Sequence, residues 1–269
     1  MQETAYAKIN LALHIRERRR DGYHSLETIF AFAEHGDLLR VEPADDLTLA
    51  IEGPFAPGLS AGEDNLVLRA ARLLRERTGT RAGARLVLDK RLPVASGIGG
   101  GSADAAATLN LLTRWWGIAF APDLAELGSA LGADVPACIL ARTCRGEGRG
   151  DALELLDDLG LEGTPLLLVN PRVPVSTAAV FRGWDGVDRG PLADWETGRN
   201  DLEPPAIGLA PRIGEVLEAL RAQAPRLVRM SGSGATCYAL FHDEGERDSA
   251  AAAIARDHPR WWQLASRIR

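Results

Sequence analysis

The stretch Pro93–Ala107 has the sequence PVASGIGGGSADAAA, and the rest of the chain can be interpreted around it. Four of the five residues in Gly97–Gly101 are glycine, and an alanine-rich run follows over Ser102–Trp116, with Gly117 behind it. Glycine lets backbone N–H groups approach an anion without a Cβ atom in the way. A helix that begins directly behind the loop directs the positive end of its dipole to the same place. The pattern therefore predicts a phosphate-binding loop. The alternative is a flexible linker or a tight turn, although neither needs a helix directly behind it.

Length and composition set the broad class of the protein. The chain has 269 residues, of which 46% are hydrophobic, which is enough for one large domain or two ordinary ones. Its three cysteines show no metal-binding spacing, and their odd number argues against a disulfide framework, so a reducing cytoplasm is expected. The sequence shows no signal peptide and no apolar run that could span a bilayer, so no membrane association is expected.

The charge of the chain argues against nucleic acid as a partner. The formal net charge is −6 and the pI is about 5.5, whereas nucleic-acid-binding domains are usually basic. The run Arg16–Arg20 is the exception, because four of its five residues are arginine. It is interpreted as a solvated loop or, alternatively, as a local positive field near an anionic substrate.

Two further stretches carry polar residues in apolar surroundings. Residues Ala5–Arg16 alternate with a period of two, which predicts a half-buried strand with Lys8 and Asn10 on the same face. Such residues are often mere solvent-facing polar groups. Asp134 precedes a run that is predicted as an apolar strand ending at Ala141. A buried carboxylate is costly unless it is paired, so Asp134 is either functional or the cap of a turn.

Helices and strands alternate irregularly along the chain, which favours an α+β fold over a regular parallel sheet. A strand over Ala84–Leu88 leads into the glycine loop, and helices are predicted over Asn65–Thr78 and Pro122–Leu131. Arg145–Asp151 is predicted as a second glycine-rich loop, and Ser231–Thr236 as a third turn of small residues.

Taken together, these motifs resemble those of the GHMP kinases, a family of small-molecule ATP kinases. The resemblance rests on the glycine loop, on AKINL at residues 7–11, on GYH at residues 22–24 and on GADVP at residues 132–136. Ser96, Ile98, Ala103 and Asp151 differ from the residues that are common in the family, all by small or conservative changes. The resemblance implies a two-domain α+β fold with the active site in the cleft between domains. The chain turns acidic and loop-like around Asp157–Gly163, so the ATP-binding domain is expected at residues 1–158 and the C-terminal domain at residues 159–269.

The resemblance also implies an ATP-dependent phosphotransferase that acts on an alcohol group. Asp134 would take the proton of the attacking hydroxyl, and Lys8 would lie close to it and favour the developing alkoxide. Mg²⁺ would bridge the ATP phosphates, with protein ligands that the sequence does not identify. The residues expected to bind ATP are Pro93, Val94, Ala95, Ser96, Gly97, Ile98, Gly99, Gly100, Gly101, Ser102, Ala103 and Asp104.

The second substrate implied by the resemblance is a small molecule with a cytidine diphosphate group, in the non-mevalonate route to isoprenoid precursors. Tyr23 and Phe181 would stack on the cytosine ring and His24 would contact its polar edge. From the residues alone, Tyr23 and His24 could equally be a buried hydrogen-bonded pair, and Phe181 a core residue. The expected substrate-binding residues are Asn10, Tyr23, His24, Thr177 and Phe181. The third glycine motif, next to the phosphates, comprises Gly232, Ser233 and Gly234.

Two alternatives remain open at the level of sequence. A related kinase would act on homoserine, mevalonate or a sugar, and would not need a cytosine pocket. A non-catalytic ligand sensor of the same fold would be expected to lack Lys8 or Asp134, and this chain has both. The sequence does not determine the oligomeric state, for which a monomer or a weak homodimer is expected.

Overall fold

The computed structural model describes residues 1–118, 123–156 and 159–269. Its strands are β1 Gln2–Arg18, β2 His24–Glu42, β3 Leu47–Glu52, β4 Ala84–Asp89, β5 Cys144–Gly148, β6 Ala152–Leu155, β7 Pro165–Asn170, β8 Leu227–Met230, β9 Cys237–Leu240 and β10 Trp262–Arg267. Its helices are α1 Leu66–Thr78, α2 Gly100–Trp115, α3 Leu124–Leu131, α4 Val135–Leu140, α5 Thr177–Arg182, α6 Glu203–Leu209, α7 Arg212–Arg221 and α8 Glu244–Asp257.

The chain forms two compact units, and the division crosses β1, β2 and the glycine loop. The first unit contains Met1–Ala7, His35–Val94 and Gly99–Ala141. The second contains Lys8–Glu34, Ala95–Ile98 and Arg142–Arg269. The predicted boundary between domains 1–158 and 159–269 stays a prediction, and its residue 158 lies outside the described residues.

The first unit places helices α1 to α4 beside a small sheet. β3 and β4 pair in parallel, and β4 pairs antiparallel with the C-terminal part of β2. Helix α1 begins at its cap Asn65, whose side chain accepts a hydrogen bond from the Val67 N–H, and it ends at Gly79 with a φ of 68°. Helix α2 packs against α1 and α4, so its buried alanines form the centre of this unit.

The second unit contains two sets of antiparallel strands. The N-terminal part of β2 pairs with β5, and β5 pairs with β6. A separate four-stranded sheet has the order β10-β7-β9-β8. Apolar residues of β7, β9 and helices α5 to α8 form one core, which also includes Leu13 and Ile15 of β1. This core fixes one end of β1, the strand that carries Lys8 and Asn10.

Most of the predicted elements are confirmed, and so is the α+β class, because β3 pairs with β4 in parallel while β2–β4, β2–β5, β5–β6, β7–β9, β7–β10 and β8–β9 pair antiparallel. The expectation of a half-buried β1 is wrong, since residues on both of its faces are buried. The predicted strand ending at Ala141 is wrong as well, because Val135–Leu140 forms helix α4 with a proline in its first turn.

The predicted second glycine loop is largely strand. Most of Arg145–Asp151 belongs to β5, and Gly148 and Gly150 turn the chain into β6 with φ values of 69° and 95°. The predicted helix Pro122–Leu131 starts outside the described residues, and its described part forms α3. None of the described helices has the length and apolarity required to cross a membrane.

Candidate active site

Gly97 of the glycine loop has a backbone conformation that only glycine adopts easily. Its φ is +77°, and a Cβ atom there would lie 2.5 Å from the Ser231 carbonyl oxygen and 2.7 Å from that of Gly234. The Ser231 hydroxyl donates to the Gly97 carbonyl oxygen at 2.9 Å. On the other side, a Cβ on Gly232 would lie 2.9 Å from that same oxygen. The structure thus brings the glycine loop and the third glycine motif into direct backbone contact.

The beginning of α2 fits a bound anion. Gly99 stands at the N-cap with a φ of 66°, and no side chain caps the first turn. The N–H groups of a first helical turn have no partner within the helix, and together with the helix dipole they attract negative charge. Gly101 is exposed and Ser102 half-buried, so these groups lie at the surface of the first unit. The segment therefore fits the phosphates of a nucleotide.

The other residues of the predicted ATP-binding stretch differ in exposure. Val94 and Ala95 are exposed, whereas Pro93 and Ile98 are buried. Asp104 is buried in α2, where its carboxylate contacts the Lys90 ammonium at 2.6 Å. Within the described part of the chain, no group of three or more His, Cys, Asp or Glu side chains could hold a metal ion. The ligands of Mg²⁺ therefore stay unassigned.

Lys8 is held in place by a series of hydrogen bonds along β1. Its ammonium group donates to the side-chain oxygen of Asn10 at 2.9 Å, and it lies 5.2 Å from the ring centroid of Phe30. Asn10 in turn donates to the Thr28 hydroxyl at 2.8 Å. The Lys8 backbone N–H donates to the Ile98 carbonyl oxygen at 3.0 Å, which joins β1 to the glycine loop. Since Lys8 and Asn10 are both 2% exposed, they are not the solvent-facing groups that a strand of this pattern often carries.

Asp134 stands at the beginning of α4, in the first unit. It is half-buried, and its side chain makes no capping hydrogen bond to the helix. Asp123, by contrast, caps α3 by accepting hydrogen bonds from the N–H groups of Ala125 and Glu126. The side chain of Asp134 therefore does not cap α4, and the alternative that it caps the turn before Pro136 stays open.

His24 lies among aromatic rings in the second unit. Its centroid is 5.2 Å from that of Phe181 and 5.7 Å from that of Trp184, which it meets edge-on. Burial, and to a smaller degree the nearby charge of Arg18, lowers the pKa of His24. His24 is therefore mainly neutral at pH 7, so it can both donate and accept hydrogen bonds. Tyr23 is 55% exposed and lies beside Arg149, with 5.4 Å between the guanidinium and its ring.

Thr177 connects the beginning of α5 to the third glycine motif. Its hydroxyl lies 2.9 Å from the hydroxyl of Ser233. Phe181 follows one turn later on the same helix, so Thr177 and Phe181 share a face, as their spacing predicted. Helix α5 thus places one side chain against the glycine motif and the other against His24.

Sequence reasoning missed two residues of these surroundings. Trp184 is 6% exposed and contacts His24, but it lies in a stretch of Gly, Asp and Trp without a clear period. Lys90 directly follows β4 and is buried beneath α2, but its charged neighbours Asp89 and Arg91 left no local signal that it would be buried. Trp184 also borders a surface pocket of about 520 Å³, whose other lining residues are Arg16, Glu17, Arg18, Asp185 and Gly186.

Comparison with known proteins identifies the family. The model for the GHMP kinases N terminal domain matches residues 65–142, and that for the GHMP kinases C terminal domain matches residues 188–260. A 4-diphosphocytidyl-2-C-methyl-D-erythritol kinase of Rhizorhabdus wittichii is 58% identical over 99% of this chain and 94% of its own length. The protein of the same name from Sphingopyxis alaskensis is 50% identical over 100% of this chain and 99% of its own length.

Solved structures agree with the sequence comparisons. The crystal structure of a 4-(cytidine 5'-diphospho)-2C-methyl-D-erythritol kinase superposes with a TM-score of 0.84 at 36% identity and covers 99% of both chains. A homoserine kinase from Cytophaga hutchinsonii superposes with a TM-score of 0.70 at 17% identity, covering 97% of this chain and 95% of its own, which shows a shared fold only. The chain therefore belongs to the GHMP kinase family, in the group formed by the 4-diphosphocytidyl-2-C-methyl-D-erythritol kinases.

Proposed function

We propose that this chain is an ATP-dependent kinase that phosphorylates the 2-hydroxyl of 4-(cytidine 5'-diphospho)-2-C-methyl-D-erythritol. The products are the 2-phosphate and ADP, and the reaction is a step of the non-mevalonate route to isoprenoid precursors. The observation that carries the proposal is the 58% identity, over 99% of this chain, to a relative named for this activity. The buried Lys8–Asn10 pair, joined to the glycine loop through the Ile98 carbonyl oxygen, supports it.

In the proposed mechanism, the glycine loop and the first turn of α2 bind the ATP phosphates through backbone N–H groups. Mg²⁺, when bound, neutralises phosphate charge and helps to align the transferred group. Phosphoryl transfer needs alignment and positive charge more than covalent chemistry. Asp134 accepts the proton of the attacking hydroxyl, and the buried ammonium of Lys8 stabilises the negative charge that develops on that oxygen.

The second unit supplies the proposed binding site for the cytosine. Phe181 offers an aromatic face, and neutral His24 offers both a donor and an acceptor to the polar edge of the base. Tyr23 would complete the site from its exposed position, and Thr177 with Ser233 would contact the phosphate-bearing part of the ligand. The contact between His24 and Phe181 supports this assignment, since it places an aromatic face and a hydrogen-bonding edge side by side.

We propose the cytoplasm as the compartment, because ATP is available there and the three buried cysteines are free thiols. The proposed partners are small molecules, without nucleic acid or membrane, and the proposed assembly is a monomer or a weak homodimer.

A kinase for homoserine, mevalonate or a sugar is the second candidate, because the fold is shared with a homoserine kinase. A coupled assay of ADP release with Mg·ATP separates the two. It offers the cytidine substrate, homoserine and mevalonate side by side to the same enzyme preparation. We expect turnover with the cytidine substrate alone. Turnover of another alcohol would support a kinase but contradict the proposed cytosine site. Binding of ATP without turnover of any alcohol would favour a ligand sensor.

A further inference from the structure

Three charged side chains form a buried cluster in the first unit, beneath the start of α2. The Lys90 ammonium lies 2.5 Å from a carboxylate oxygen of Asp37 and 2.6 Å from one of Asp104. The three side chains are exposed by only 4%, 0% and 6%, respectively. Asp37 belongs to β2, Lys90 follows β4, and Asp104 belongs to α2, so the cluster joins three elements. Burying charges is costly, and apolar residues of similar volume often stabilise a core as well or better.

The cluster fixes the backbone that leads into the glycine loop. The second carboxylate oxygen of Asp37 accepts hydrogen bonds from the N–H groups of Arg91 at 2.6 Å and Leu92 at 2.8 Å. The Lys90 ammonium also lies directly under the first residue of α2, because a Cβ atom on Gly100 would be 3.2 Å from it. The entry to the loop and the first helical turn therefore depend on the same three side chains.

The charges of the cluster do not balance when all three groups are ionised. One oxygen of Asp104 is buried and has no hydrogen-bond partner among the described residues. Burial raises the pKa of Asp104 to about 7, an effect that Lys90 opposes and Asp37 reinforces. Asp37 on β2 and Lys90 after β4 are the charged groups that act on it. Helices α1 and α4 pack against α2, and their buried residues are apolar apart from one thiol: Val67, Leu68, Ala70, Ala71 and Leu74 of α1, and Val135, Pro136, Ala137 and Cys138 of α4.

We propose that Lys90 is a positioning residue for nucleotide binding, which acts with Asp37 and Asp104 to hold the first turn of α2 against the phosphates. The inference rests on the proposed function, because it takes the phosphates to bind at this helix start. A net negative charge beneath the turn opposes an anion above it, so a bound nucleotide favours the cluster in which Asp104 carries a proton. Nucleotide binding therefore takes up protons, and affinity falls as the pH rises through the pKa of Asp104.

Isothermal titration calorimetry with Mg·ADP tests the coupling. Dissociation constants are measured from pH 6 to pH 8.5, in pairs of buffers with different ionisation enthalpies, for the wild type and Asp104→Asn. We expect the wild type to take up a fraction of a proton and its affinity to fall several-fold across this range, with neither effect in Asp104→Asn. Glu126→Gln is the matched control, because it removes an exposed carboxylate of the same unit. Equal proton uptake and equal pH profiles in the wild type and Asp104→Asn would overturn the coupling.

Lys90→Met tests the positioning role directly. We expect it to raise the dissociation constant of Mg·ADP at least tenfold while that of CDP stays within twofold, because the residues proposed to bind the base lie in the other unit. A folded Lys90→Met with wild-type affinity for Mg·ADP would overturn the proposal and leave the proposed function intact. If Lys90→Met does not fold, the calorimetric titration of Asp104→Asn decides whether the cluster acts on nucleotide binding. A wild type that binds no Mg·ADP would overturn both this inference and the proposed function.

Discussion

The side chains of Lys8 and Asn10 are joined by a hydrogen bond of 2.9 Å on one face of β1, although both are almost completely buried. Asn10 is itself fixed, because its amide donates to Thr28 and its backbone N–H donates to the Ser231 hydroxyl at 3.2 Å. The Lys8 ammonium therefore has a defined position before any ligand binds. A preorganised charge of this kind needs little reorganisation when negative charge develops in a transition state.

Replacing Lys8 tests whether its charge contributes to the chemical step. We expect Lys8→Met to lower kcat by roughly 10²–10³-fold, because it removes a charged donor and keeps most of the buried volume. Steady-state kinetics with both substrates measures the effect, with Arg40→Met as an exposed control that should retain full activity. If KM alone rises, Lys8 binds the substrate and takes no part in the chemical step.

Replacing Asp134 tests the proposed general base. We expect Asp134→Asn to lower kcat by about 10²–10⁴-fold, because a general base contributes this much to the rate. The melting temperature should stay unchanged. Asp123→Asn is a matched control, since Asp123 also precedes a helix but caps it. Asp123→Asn should keep the wild-type kcat. It should also keep most of the stability that the cap of α3 provides, because asparagine caps helices as well as aspartate does. A folded Asp134→Asn with wild-type kcat would remove Asp134 from the mechanism.

Gly97 and Gly101 provide a test of the backbone of the glycine loop. We expect Gly97→Ala to cost more than about 1–2 kcal/mol, because the strain of a positive φ adds to the overlap with the Ser231 and Gly234 carbonyl oxygens. It should also weaken Mg·ADP binding. Gly101→Ala should change stability by less than about 1 kcal/mol, because it lies in a helix and its Cβ would contact only the flexible Leu66 side chain at 3.4 Å.

Urea denaturation and calorimetry measure both glycine variants. Equal losses of stability in Gly97→Ala and Gly101→Ala would contradict the close backbone contact described for Gly97.

His14 makes the stability of the second unit depend on pH. It accepts a hydrogen bond from the Arg199 N–H at 3.2 Å, and its other ring nitrogen lies 3.2 Å from the Gly190 carbonyl oxygen, an arrangement that needs the neutral ring. Burial is the main cause that lowers the pKa of His14 below 6.5, and the positive charge of Arg199 lowers this pKa further. The unfolded chain therefore takes up the proton first, and stability falls as the pH drops below about 6.5.

Thermal denaturation from pH 7.5 to pH 5.5 tests this dependence, with His14→Gln as the variant that does not titrate. We expect the melting temperature of the wild type to fall further over this range than that of His14→Gln. Parallel curves for the two proteins would show that His14 does not contribute to the pH dependence.

The sequence by itself determined the local features. The glycine run followed by alanines predicted the loop and helix α2, and the alternation of Ala5–Arg16 predicted β1. Asn65 and Gly79 marked the ends of α1 within a residue. These predictions succeed because backbone sterics, side-chain periodicity and helix capping act over a few neighbouring residues. Motif resemblance gave the family for the same reason, since each motif is a short continuous stretch.

Only the tertiary structure decided which side chains are buried and what they contact. Asn10 meets Ser231 across a separation of 221 residues, and Lys90 meets Asp37 across 53. The tertiary structure also decided that Val135–Leu140 forms a helix, because a short apolar run of this kind fits a strand equally well in isolation. Such contacts and choices follow from the packing of whole elements, because burial depends on every neighbour at once and no local period of the sequence encodes it.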